Sequence, residues 1–164
     1  MNRYIIVAKG PTAKRMCKLD YPNTSIVCIN QACCLVDKPD FVVMNDMESL
    51  NGLTLADIKD VQTFVIPEYP HLHGKSSLSI TKKDFVNKLD TLGYVGNVHT
   101  YNLYNSPSKN NDSIVLSPDC VSTTHTAICY LNLKYNVTNF ETYGFLKGSG
   151  YNEEIEKIAN KYLK

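Results

Sequence analysis

The sequence predicts an α/β fold, a Rossmann-like three-layer domain with a mostly parallel central sheet. Three observations carry the prediction. Four short apolar runs, at residues 4–8, 25–29, 41–44 and 63–66, are each closed by turn residues. Runs apolar on both faces suit strands covered by helices on both sides. Helical patterning lies between later runs, and such alternation argues for layered α/β architecture. The length, 164 residues, suits one domain spanning 1–164.

Taken in order, the first run ends at Lys9-Gly10-Pro11, and a helix is expected from about Thr12, with Met16, Cys17 and Leu19 on its apolar side. The second run closes at Asn30-Gln31. The third follows Pro39-Asp40 and closes at Asn45-Asp46; Pro67 stops the fourth. The spacing between the first runs is near the lower limit for a crossover helix. Residues 71–79, polar and serine-rich, read as a mobile loop. Thr81 starts a helix with Phe85, Val86, Leu89 and Leu92 on one side, ending near Gly93. Residues 102–113 form a second polar loop, and 114–116 a short strand. A helix is expected over 121–134, buried through Ala127, Ile128, Leu131 and Leu133, then a strand over 137–143 ending at Gly144. An amphipathic helix is expected over 151–163, through Ile155, Ile158, Ala159 and Tyr162.

Composition excludes several classes. The net charge is +1, from 17 basic and 16 acidic residues, and only Arg3 and Arg15 are arginines. A protein that holds nucleic acid through bulk charge shows a basic excess, so any polyanion contact here must be local. No run approaches the ~18 apolar residues of a membrane span, and the opening run is too short for a signal peptide. The expected location is therefore cytoplasmic, in the host cytoplasm if the source is viral. Abundant Asn and Lys, with 11 Tyr and no Trp, suit an AT-rich genome such as a virus carries. The six cysteines include no CxxC pair and read as reduced, mostly buried thiols, with no zinc pattern among them.

The motif with the clearest chemistry is Gly10-Pro11-Thr12. A strand ending in a glycine turn that opens a helix presents backbone N–H groups to an anion, although the same turn also serves as an ordinary strand–helix connection. In an open α/β sheet, ligands bind beyond the carboxyl ends of the strands. The first three strands would then deliver Gly10, Pro11, Thr12, Asn30, Gln31, Asn45 and Asp46 to one crevice. Amides and a carboxylate there read ribose and base by hydrogen bonds; helix capping by Asn30 and Asp46 is the alternative. Histidine titrates near neutrality, which makes His125, inside a hydroxyl cluster, a candidate base. His71, His73 and Lys75 form a candidate acceptor-binding loop. Asp46 is the other candidate base. With Glu48 it also suits a divalent metal, but neither a DxD pair nor a third ligand beside His71 and His73 nominates a metal site.

The glycine-proline-hydroxyl turn, the Asn-Gln after the second strand and the polar end of the third resemble bacterial sialyltransferases of the Campylobacter type. They also resemble the related domain of archaeal pterin pyrophosphokinases. Ser122-Thr123-Thr124-His125, followed by an apolar helix and by Tyr143-Gly144-Phe145, is similar to their hydroxyl-rich helix start and glycine-ended strand. The resemblance implies that Ser122, Thr123 and Thr124 contact the phosphates of a donor nucleotide. Phe145-Leu146 stands where those families carry an acidic residue, and the long C-terminal part that supplies their histidine base has no counterpart. A nucleotide-diphosphate ligand is thus expected without sialic acid.

The expected function is a glycosyltransferase using a nucleotide sugar as co-substrate, with a divalent metal optional and a homodimer compatible. An AT-rich viral origin suits an acceptor among hydroxymethylated bases of phage DNA, as for hydroxymethylcytosine arabinosyltransferases, with Lys75, Lys82, Lys83 and Lys109 touching phosphates. The alternatives are a pyrophosphokinase-type nucleotide enzyme and a non-enzymatic nucleotide-binding or host-interaction protein.

Overall fold

Seven strands form one sheet in the computed structural model, which describes residues 3–10, 13–72, 75–76, 79–106, 108–118 and 122–145. They are β1 (Arg3–Val7), β2 (Thr24–Ile29), β3 (Phe41–Val43), β4 (Thr63–Pro67), β5 (Asn97–Asn102), β6 (Ile114–Val115) and β7 (Glu141–Tyr143). The order across the sheet is β6-β5-β4-β3-β2-β1-β7, and every pairing is parallel.

This order dictates which face each connection takes. Parallel strands are joined by right-handed crossovers almost without exception. The steps from β1 to β6 all move the same way, so their connections share one face. The return from β6 to β7 runs the other way and must cross the opposite face. The core divides accordingly. On one face Ile5, Val7, Ile26, Cys28, Val42, Phe64 and Ile66 pack under α1 (Leu55–Ile58) and α2 (Lys82–Thr91). On the other, Tyr4, Ile6, Val27, Ile29, Val43, Val65 and Tyr101 pack under α3 (Thr123–Tyr135). Alternate residues of each strand thus serve opposite faces, which is why the runs are apolar on both faces.

Local signals set the helix ends. Thr81 and Asp84 form a capping box at the start of α2, and Gly93 (φ +85°) follows its end. Thr54 and Asp57 repeat the box at α1. Asn136 closes α3 in the left-handed conformation (φ 54°).

Several expectations are corrected. No α-helix occupies the described part of the β1–β2 connection: Met16–Cys17 runs extended, parallel to Val36–Asp37, and Leu19 is 80% exposed. Lys18 is tied there to the Asp40 carboxylate and the Thr24 carbonyl. Short 3-10 turns take the place of crossover helices at Lys18–Asp20, Asn30–Leu35 and Met47–Leu50. Where a loop is expected after β4, His71–Leu72 pairs antiparallel with Lys75–Ser76. β5 was not anticipated, and the last strand is shorter than expected. The helix expected over 151–163 lies outside the described residues.

Candidate functional site

The chain returns beside its first strand, so the strand order switches between β1 and β7. A crevice beyond the carboxyl ends is expected at such a switch. Here the two following loops touch through backbone: a Cβ on Gly10 would run into the Gly144 carbonyl, and one on Gly144 (φ +80°) into the Ala8 carbonyl. Gly10 is therefore required by close approach within the protein, whatever it offers a ligand. Pro11 and Thr12 lie outside the described residues.

One strand over, Asn30 ends β2 in the left-handed region (φ 52°), and its buried Oδ1 has no hydrogen-bond partner among the described residues. Gln31 is already engaged, donating to the Asn51 carbonyl (2.8 Å) and accepting from Lys9 Nζ (3.3 Å).

Beyond β3 the side chains converge. Asn45, 4% exposed, accepts from the Tyr101 hydroxyl and donates to Thr126 Oγ1 at 3.1 Å. Its side chain thereby ties β3 to β5 and to the first turn of α3. The Asn45 carbonyl accepts from the His71 N–H at 2.8 Å, and Asp46 forms a parallel bridge with His71. That register sets His71 Nδ1 3.7 Å from Asp46 Oδ1. Burial raises the Asp46 carboxyl above its ordinary range, His71 opposes the rise and Glu48 adds to it. His71 Nε2 is buried with no hydrogen-bond partner among the described residues. A carboxylate facing one imidazole nitrogen, with the other nitrogen uncommitted, is the arrangement of an oriented base.

At the start of α3, Ser122 is the N-cap, its hydroxyl accepting from the His125 N–H at 3.3 Å. Thr123 is 7% exposed and Thr124 1%. Of the first N–H groups of the helix, those of His125 and Thr126 bond the Ser122 hydroxyl and carbonyl, which leaves those of Thr123 and Thr124 as candidates for an anion. His125, also 1% exposed, is enclosed in the core beneath that turn. His73 lies outside the described residues, and of Lys75 only the backbone is described, in the strand opposite Leu72.

The rim holds a second carboxylate that the sequence reading passed over. Glu68, 6% exposed, follows β4 and accepts from Ser113 Oγ (2.6 Å), Asn110 Nδ2 (3.1 Å) and Lys82 Nζ (3.0 Å at its nearer oxygen). Burial pushes its carboxyl up, but the hydrogen bonds from Ser113, Thr100, Lys82 and Asn110 outweigh burial and leave it below the ordinary value. It joins β4, α2, β5 and the 103–113 loop. Glu68 lies between Pro67, which stops the fourth apolar run, and Pro70, so no apolar pattern extends to it. Lys82 is thereby committed, whereas Lys83 and Lys109 are exposed, Lys109 lying over the Tyr104 ring at 5.2 Å.

No cluster of three or more His, Cys, Asp or Glu able to hold a metal occurs among the described residues, and no described helix is long and apolar enough to cross a membrane. Burial pushes the Cys33 thiol up to about 12 and raises Cys28 and Cys34, so these groups are thiols at neutral pH. Comparison with family models, with curated proteins and with solved structures finds no match for this chain.

Proposed function

We propose that the chain is a glycosyltransferase that moves a sugar from a nucleotide-activated donor to an acceptor hydroxyl. The observation that carries the reading is the Asp46–His71 pair beyond adjacent strands, linked through Asn45 to the start of α3. The helix dipole at that start favours a diphosphate, with the Thr123 and Thr124 N–H groups as its candidate donors, since those of His125 and Thr126 already bond Ser122. Asp46 holds His71 by Nδ1, and Nε2 takes the proton of the acceptor hydroxyl. The acceptor oxygen bonds to the anomeric carbon as the bond to phosphate breaks, and the nucleotide leaves with the electron pair. The 3.7 Å separation is longer than a hydrogen bond and closes in the substrate complex. Because Nε2 is buried in the free protein, proton transfer to it requires a local opening around His71. Asn30 Oδ1 supplies an acceptor for a ribose hydroxyl or base N–H of the donor.

For the acceptor we infer a hydroxymethylated base of phage DNA. The composition supports this, and of the four candidate lysines Lys83 and Lys109 are exposed among the described residues. Retention on such DNA at low salt, lost on raising salt, is the expected behaviour; no retention at low salt removes this acceptor.

Thermal unfolding with a panel of sugar nucleotides and ATP tests the donor. A donor at about 100 times its Kd stabilises by roughly 2.7 kcal/mol, an upward shift of roughly 5–10 °C for a chain of this size. A shift with a sugar nucleotide and none with ATP supports the transferase. A shift with ATP alone favours the pyrophosphokinase, and no shift with any nucleotide excludes both.

A further inference from the structure

A cleft of about 430 Å³ lies at the opposite rim of the sheet, where β1 and β7 begin and α3 ends. Its size falls in the range of small-molecule sites. None of the residues assigned to transfer lines it. Tyr4, Tyr135 and Phe140 give it aromatic walls, and Asn136, Thr138 and Asn139 give it amides and a hydroxyl. Arg3 and Glu141, ion-paired to each other, complete the rim, so the cleft holds two charges that cancel.

Two further features define what fits. The last carbonyls of α3 end at this cleft, and a helix carboxyl end carries partial negative charge. It repels phosphate and welcomes O–H or N–H donors. Tyr135 is backed by an aromatic chain running into the core: its ring packs edge-on against Tyr130, centroids 6.1 Å apart, and the Tyr130 hydroxyl lies 3.0 Å from His99 Nδ1. Tyr130 is 1% exposed, so the chain is anchored, and Tyr135 stands at its exposed end.

We propose that this cleft is a second binding site, for a neutral saccharide ring. Aromatic side chains cover the apolar C–H face of a pyranose, while amides, hydroxyls and the neutralised ion pair take its equatorial hydroxyls. The proposal is independent of the transfer reading, because the cleft lies across the sheet from Asp46 and His71. A saccharide held here is a ligand and undergoes no reaction.

Backbone amide NMR of the labelled full chain tests it directly, titrated with simple methyl glycosides and, separately, with adenosine and inorganic phosphate. The expected result is saturable shifts with a methyl glycoside, centred on residues 135–141 and 3–4, and none there with phosphate. Asn139 is exposed and can be changed without disturbing the core, so Asn139→Ala should weaken the glycoside by about three- to tenfold, the value of one hydrogen bond. Tyr135→Phe, which keeps the ring, should weaken it by a similar factor. The proposal is overturned if no glycoside shifts these residues, if adenosine or phosphate alone does, or if both variants titrate like the parent.

Discussion

Asp46 and Glu68 follow neighbouring strands on the same rim, yet their surroundings differ in every respect that matters for chemistry. Glu68 is buried and fully engaged, with a lysine, a serine and an asparagine around it, and its carboxyl sits below the ordinary range. Asp46 is one-third exposed, has one long contact to an imidazole and is raised by burial. A satisfied carboxylate holds structure together. A partly desolvated one with a single imidazole partner suits proton chemistry. Charge and position alone do not separate the two; the count of donors does.

Replacing each group sharpens the contrast, and the largest expected effect is at Glu68. Glu68→Ala leaves Ser113, Asn110 and Lys82 without their common acceptor and should cost about 2–3 kcal/mol in urea unfolding, with Lys82 partly rescued by water. Because the folded carboxyl lies below its unfolded value, its contribution is complete above about pH 4.3 and is lost as pH falls through the folded value. A Glu68→Ala variant that unfolds like the parent at neutral pH would remove the structural role.

Next is Asn45, whose amide joins Tyr101 and Thr126. Asn45→Ala should cost about 1–2 kcal/mol and weaken donor binding as well, because it frees the start of α3 from β3. Stability lost without any change in donor affinity would detach the helix start from the site.

The smallest stability effect, with the opposite sign, belongs to Asp46. A carboxyl raised by burial favours folding in its neutral form, so its contribution is present below the unfolded pKa and fades as pH rises through the folded one. Asp46→Asn should therefore leave stability at pH 7 unchanged or raise it by up to about 1 kcal/mol, while activity collapses. Loss of stability comparable to that of Glu68→Ala would place Asp46 among the structural groups instead.

The sheet was legible where burial comes from apolar side chains. β1 to β4 show as largely apolar runs because both faces are covered, α2 shows through its periodicity and capping residues, and α3 shows as an apolar stretch, although Leu133, expected on its buried side, is 51% exposed. β5 was not legible, because its buried members include Tyr101 and Asn102. Asn102 is satisfied by the Asn110 and Ser113 backbone rather than by apolarity. The first crossover was misread because Met16 and Cys17, apolar and near helical spacing to Leu19, serve a short extended pairing instead. Within the site, Asp46 and His71 stood out singly by residue type. Their pairing depends on a backbone bridge between the ends of two strands, which no local pattern announces. Gly10 stood out for a phosphate, and its first requirement proved to be Gly144.

The central claim is that Asp46 and His71 act together on a proton during sugar transfer. Nucleotide release from a sugar donor in the presence of acceptor, measured for the parent, Asp46→Asn and His71→Gln, tests it most directly. Donor affinity should stay within a few-fold of the parent in both variants, with release slowed by about 10²–10⁴-fold in each. Release at the parental rate in either variant, with donor still bound, would contradict the account.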